Sequence, residues 1–339
     1  MRAVVFHGVG DVRVTDVPDP SIEEPDDAIV RPVAATTCDF DQMIFRGETP
    51  FEPPLALGHE CVAEVVEVGE AVTAAKVGQV VVVPWHVSCW ECDRCRRGVP
   101  ASCRVTPNAM YGLPVAGDWG SMFSDLLRVP HADGALVPLP PGIDPAAAAS
   151  AGDNLPAAYE ATAPYLRANG GGELLILGGC GSIALYAISF ALAAGASRVD
   201  YVDDDPARLG LAERLGATCI EGPPPRRMDD QYAVTVDASN HDPAALACAL
   251  RSVIPEGSCT TVGIYFRDVE IPMFELYVRG VLFHAGKSNA RPTVPAVLEL
   301  LTAGEVDPSP VTTEIVDWED MPRALADPSM KPVFVRDQL

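Results

Sequence analysis

Apolar residues in the first 145 positions come in short β-branched runs separated by Gly, Pro and Asp, as in VVFHG, AIVRPVAAT, CVAEVVEVG and VGQVVVVP. Such runs fit a pleated, half-buried surface, so this part is expected to be mostly β. The pattern then changes. Asp144-Pro145 has the form of a helix start, an N-cap acid followed by proline at the first helical position, and it leads into the alanines 146–149. From residue 173 onward, apolar blocks alternate with stretches of helical spacing: ELLIL, a glycine turn, SIALYAISFALAAGA, RVDYVD and PARLGLAERLGA. YAVTVDAS and CTTVGI continue the series as buried strands, with a helix opening at Asp242-Pro243 between them. Strands and helices in this alternation predict a doubly wound parallel sheet with right-handed crossovers. Further on, PAVLELLTAGEV reads as a helix with a glycine stop and KPVFV as a strand, while GPPPRR at 222–227 reads as an exposed loop without a functional part.

At 339 residues the chain is longer than one core usually serves, which predicts about two domains. Apolar residues make up 48% of it, yet no uncharged apolar run approaches the roughly 20 residues of a membrane span. The opening MRAVVFHGVGDVRV alternates like a strand and lacks the apolar core and cleavage site of a signal peptide, so the expected location is the cytoplasm. A formal charge of -23 disfavours nucleic acid and anionic membranes as partners, since both call for basic patches. A small-molecule substrate fits better.

Four cysteines crowd the stretch CWECDRCRRGVPASC with the spacing C-x2-C-x2-C-x7-C. In a reducing compartment, thiols this close are metal ligands or redox groups more often than disulfides. Cys89, Cys92, Cys95 and Cys103 supply enough thiolates to close a tetrahedral zinc shell, leaving no position for a substrate. A structural zinc lobe is therefore predicted over residues 89–103, against the competing readings of two disulfides or four unrelated thiols. Cys61, Cys180, Cys219, Cys248 and Cys259 sit singly and read as small buried side chains.

The turn after the strand ELLIL carries the dinucleotide fingerprint in the register Gly179-x-Gly181-x-x-Ala184, with Gly178 leaving that register open by one. Gly178, Gly179, Cys180, Gly181, Ser182 and Ile183 are the residues expected around a pyrophosphate at the helix N-terminus. Asp203 ends the second strand 19 residues beyond Ala184, where an acid should accept the adenosine ribose, and Arg208 joins the expected cofactor contacts. Three successive carboxylates, Asp203, Asp204 and Asp205, would repel a 2′-phosphate, which favours NAD over NADP.

Taken with TTCDFDQMIFRG at 36–47, GHECVAEVVEVG at 58–69 and GDNLPAAYEA at 152–161, the lobe and the fingerprint occur in an order that resembles the zinc-containing medium-chain dehydrogenase/reductase family, which is alcohol dehydrogenase-like. The resemblance covers nearly the whole chain. It implies a GroES-like catalytic domain at 1–145, a Rossmann NAD-binding domain at 146–289 and a segment at 290–339 that completes the first. It also implies about two zinc ions per chain and a homodimer or homotetramer. Carried over residue by residue, the catalytic zinc ligands are Cys38, His59 and Asp153, with Glu60 beside the metal or joining it and Asp41 orienting His59. Phe40 stands where the family commonly has a Ser or Thr that relays a proton, and Met43 where many members have a histidine. Asp39 takes a position that is arginine in some members and is the replacement base to consider. The leading reading is an oxidoreductase moving a hydride between NAD(H) and a small alcohol or carbonyl compound. A reductase of an iminium or conjugated C=C substrate and a cofactor-binding protein without turnover are the competing ones.

Overall fold

The computed structural model describes residues 1–114 and 117–336. It forms two compact units, one of residues 1–156, 288–304 and 312 onward, the other of residues 157–287 with 305–311. The fold class is the expected one, a GroES-like β domain together with a Rossmann-type domain.

In the first unit a seven-stranded sheet runs in the order Glu314–Asp317, Pro332–Val335, Ala28–Thr36, Glu60–Val68, Val80–Val83 and Val137–Pro138, with Leu127–Val129 also paired to Ala28–Thr36. Only the first of these pairings is parallel. The strand Ala28–Thr36 carries a register shift between Pro32 and Ala34, as a residue without an N–H requires in a central strand. Arg2–Gly8, Asp11–Asp16 and Leu55–Ala56 make a small antiparallel sheet. Val30, Val65, Val81, Phe123 and Phe334 are among the residues that fill the core.

The second unit is built on six parallel strands in the order Thr218–Glu221, Ala196–Asp203, Gly172–Leu177, Tyr232–Asp237, Val253–Thr261 and Leu282–Ala285. The order reverses beside Gly172–Leu177, and such a switch point is where doubly wound sheets bind ligands. Leu174, Leu175 and Ile176 are all fully buried, because both faces of a parallel sheet are covered. Helices begin as the sequence suggests at two places. Asp205 accepts from the N–H groups of Ala207 and Arg208, and Asp242 from that of Ala244, each ahead of a proline.

The expected helix at Asp144-Pro145 does not form. Residues 145–148 make turns, Ala149–Gly152 is a single 3-10 turn, the backbone breaks at Asp153 (φ -153°, ψ -77°), and the helix Asn154–Ala168 follows. Gly152 explains the break. A Cβ on it would stand 2.3 Å from the Val83 carbonyl oxygen, and its own carbonyl accepts from Trp85 N–H at 3.1 Å, so it serves the neighbouring strand instead of a helix. In consequence residues 146–156, expected in the nucleotide-binding domain, cluster with the first unit, as do 288 and 289. No helix among the described residues is long and apolar enough to cross a membrane.

Candidate active site

Three local devices bring three unlike side chains together in the first unit. Cys38 caps the helix Asp39–Phe45: its sulfur accepts from Phe40 N–H at 3.4 Å, while Asp41 Oδ2 accepts from Cys38 N–H at 2.9 Å. His59 is set by Gly58 (φ +103°), where an added Cβ would lie 2.5 Å from the Phe123 ring. Asp153 sits at the break enforced by Gly152. One ligand atom from each of Cys38, His59 and Asp153 lies within 4.8 Å of the others. His59 Nε2 is 3.5 Å from Asp153 Oδ2, and its Nδ1 is 3.5 Å from Asp41 Oδ1 on the opposite side.

The electrostatics of this cluster favour a cation. Burial pulls the His59 imidazolium down, but Asp41, Asp153 and Glu60 outweigh that and raise its pKa to about 9. Burial, reinforced by Asp153, Glu60, Asp41 and Asp39, pushes the Cys38 thiol well up. Among the described residues, His59 Nδ1 and Asp41 Oδ1 are both buried without a hydrogen-bond partner, which suits a ring poised to turn toward Asp41 once its other nitrogen is engaged. A thiolate, an imidazole and a carboxylate form a donor set that fits zinc and leaves the fourth position open.

Glu60 lies outside the three-residue group, with both carboxyl oxygens engaged elsewhere. Its Oε1 accepts from Asn154 N–H at 2.8 Å, and its Oε2 is 2.6 Å from Nζ of Lys331, which is fully buried and also donates to the Thr37 carbonyl. Burial raises the Glu60 carboxyl to about 7 against the pull of Lys331. Asp39 opens the helix beside Cys38, largely buried, and lies outside the three-residue group. Phe40 packs edge-on against Phe51, ring centroids 5.9 Å apart, and Met43 is buried.

The sulfurs of Cys89, Cys92, Cys95 and Cys103 gather as a second group, and none is in a disulfide. Cys92 and Cys95 are 3.5 Å apart, Cys89 and Cys103 3.4 Å, Cys92 and Cys103 4.0 Å. A tetrahedron with zinc–sulfur bonds of about 2.3 Å has edges of about 3.8 Å, so these spacings suit one ion.

In the second unit a cavity of about 280 Å³ opens at the switch point, lined in part by Gly178, Gly179, Asp203, Asp204 and Arg208. Gly179 (φ +130°) and Gly181 (φ +124°) adopt backbone that other residues avoid, in keeping with the fingerprint register. Cys180, Gly181, Ser182 and Ile183 follow in the turn and first helical residues but do not line the cavity. Gly222, Pro223 and Pro224 do line it, so the loop dismissed as non-functional on sequence borders this site. Asp203 is more committed than expected. Its Oδ2 accepts from Tyr201 Oη at 2.6 Å and Arg208 Nε at 2.8 Å, and its Oδ1 from Arg208 Nη2 at 2.7 Å and Asp205 N–H at 3.0 Å. Burial opposes its charge, but Arg208 and Tyr201 hold the carboxyl below its ordinary range. Gly178 makes the space: a Cβ there would lie 2.4 Å from Asp203 Oδ2.

The alcohol dehydrogenase GroES-like domain matches residues 24–141. Over 335 residues the chain is 32% identical to a probable zinc-binding alcohol dehydrogenase of Mycobacterium tuberculosis, spanning 96% of this chain and 85% of that one. It belongs to the zinc-containing medium-chain dehydrogenase/reductase family. As a member of that family it is a zinc-type oxidoreductase. The alcohol dehydrogenase of Thermus sp. ATN1 superposes on 99% of it, and on 100% of its own length, with a TM-score of 0.89 and 31% identity. A glutathione-independent formaldehyde dehydrogenase of Pseudomonas aeruginosa is 32% identical over 63% of the chain and 57% of that protein. Two residues of these sites have no motif that announces them, Lys331 and Tyr201, and Asn154 stands within GDNLPAAYEA without having been singled out. Lys331 lies in an unremarkable strand approach, and only burial beside Glu60 gives it meaning.

Proposed function

We propose that this dehydrogenase transfers a hydride between NAD(H) and a small alcohol or carbonyl compound, with zinc held by Cys38, His59 and Asp153. The observation that carries the reading is the convergence of those three unlike donors beside Asp41. Zinc held there supplies Lewis acidity toward a substrate oxygen. Asp41 orients His59 through Nδ1, leaving Nε2 on the side of Asp153. Lys331 and Asn154 engage both Glu60 oxygens, so Glu60 does not compete for the open position. The Phe40 side chain carries no exchangeable proton, and Asp39, beside it on the same helix, is the acid proposed to receive one while Asp41 faces His59. Asp203, Asp204 and Asp205 support NAD over NADP, with one internal partner of Asp203 giving way to the ribose. The four cysteines of the lobe, proposed to hold a second zinc, suit a reducing compartment such as the cytoplasm.

The test is a paired assay. Formation of reduced nicotinamide from NAD with a panel of primary and secondary alcohols is expected, and its complete absence would sink the reading. The packing of Phe40 on Phe51, where a relay hydroxyl is usual, favours one competitor, a reductase of iminium or conjugated C=C compounds. NADH consumption with those acceptors and no alcohol oxidation would select it.

The proposed assembly is a homodimer or larger. Met273, Phe274, Tyr277 and Val278 expose 65–80% of their surfaces on the helix Met273–Arg279, next to the edge strand Leu282–Ala285. Apolar surface of this kind beside an open edge marks a contact site. A Phe274→Glu, Tyr277→Glu variant is expected to sediment as a monomer where the wild type sediments as a multiple, and an unchanged sedimentation coefficient would place the contact elsewhere.

A further inference from the structure

Asn154 is fully buried, and its side chain meets the Cys38 sulfur: the thiol donates to Oδ1 at 3.1 Å. Its backbone N–H reaches Glu60, and it directly follows Asp153. As the first residue of the helix Asn154–Ala168 it has an N–H without an intrahelical acceptor, which Glu60 satisfies from a distant strand. One residue thus touches or adjoins three members of the site. On its other contact the Cys38 sulfur accepts from the Phe40 N–H at 3.4 Å.

The two ends of a carboxamide have nearly the same shape, so its oxygen and nitrogen exchange places by a half-turn that leaves the packing intact. Facing a thiol, the oxygen accepts. Facing a metal-bound cysteine sulfur, which carries negative charge and only accepts, the nitrogen end is the favourable one. Hydrogen bonds to a ligating sulfur withdraw electron density from it, leaving the metal more acidic and the ligand better oriented.

We propose that Asn154 is a positioning residue of the metal centre, donating from Nδ2 to the Cys38 sulfur when metal is held. The assignment rests on Cys38, His59 and Asp153 holding that metal. It accounts for a polar side chain, chosen over an apolar one, at a buried position next to a ligand. It also makes residue 154 a determinant of metal retention and of the electronic character of the site, separate from substrate binding.

The experiment compares wild type, Asn154→Asp and Asn154→Leu, both close in size to asparagine, in the full chain. Each is loaded with cobalt at the Cys38 site with zinc kept in the lobe, and zinc release to a chelator is timed in parallel. Loss of the N–H donor is expected to move the cysteine-to-cobalt charge-transfer band to lower energy and to speed zinc release on the order of 10–100-fold. Retained lobe zinc and an unchanged circular dichroism spectrum show that each variant is folded. Folded variants with the wild-type band and wild-type release rate would overturn the proposal while leaving the metal site standing. If instead Cys38→Ala leaves the zinc content unchanged, the metal-site reading itself fails and Asn154 loses its role with it.

Discussion

Replacing Cys38 with alanine is expected to lower bound zinc from about two ions per chain to about one and to cut turnover about a thousandfold, roughly 4 kcal/mol of transition-state stabilisation. The reason is the separation of the two donor groups: Cys38, His59 and Asp153 share no residue with the lobe of Cys89, Cys92, Cys95 and Cys103. With Cys38 gone, an imidazole and a single carboxylate remain, too few to hold zinc against dilution. The lobe keeps its own shell and serves as an internal count. Elemental analysis alongside steady-state rates decides the matter. One zinc in both proteins would leave the Cys38 site without metal, whereas lost turnover with two zinc ions retained would give Cys38 some other part in the reaction.

A Lys331→Met change is expected to cost about 3–5 kcal/mol of stability, the usual penalty for stranding one member of a buried ion pair. Lys331 and Glu60 are both fully buried, with Nζ and Oε2 2.6 Å apart. Burial already raises the Glu60 carboxyl from 4.5 to about 7 while Lys331 opposes the rise, so removing the ammonium lets it rise further. A carboxyl whose pKa is higher in the fold holds a proton that the unfolded chain has released. Stability is then lost as pH climbs from the ordinary glutamate value through the folded one. The deficit of Lys331→Met is therefore expected to be larger at about pH 8 than at about pH 5, read from denaturant midpoints. Adding Glu60→Gln should recover part of it. A cost below about 1 kcal/mol at both values would mean that Glu60 is neutral or hydrated in the native protein.

The chemistry-bearing motifs were legible because each depends on residues close in sequence. The cysteine spacing of the lobe, the glycine register at Gly179 and Gly181 and the caps at Asp205 and Asp242 are local devices, and backbone geometry follows from them directly. The expected trio of Cys38, His59 and Asp153 came from resemblance, and the fold brings them within 4.8 Å of one another. What stayed hidden was set by long-range contacts. Asp144-Pro145 has every mark of a helix start, yet Gly152 is pressed against Val83 and the chain turns instead. Glu60 has the chemistry of a ligand, and its pairing with a lysine 271 positions away could not be read from the residues around it. Asp203 looks open to a ribose until Tyr201, two residues earlier on the same strand, is found to share its oxygen.

Lys331 arrives late in another sense. Glu60 leaves the ribosome well before its only ion-pair partner among the described residues, which stands 271 positions further on, just before the strand Pro332–Val335 that pairs with Ala28–Thr36. Early domains begin to fold during synthesis, so the nascent β unit must wait without the ammonium that faces Glu60 and with one neighbouring strand missing. The ordering of Glu60, and of the Asn154 backbone it holds, is in this way deferred until Lys331 has been translated. The candidate site is consequently completed only after Lys331 has been made, and a ribosome that stalls before it releases a chain carrying all three donors but lacking the cation that settles the carboxyl group beside them.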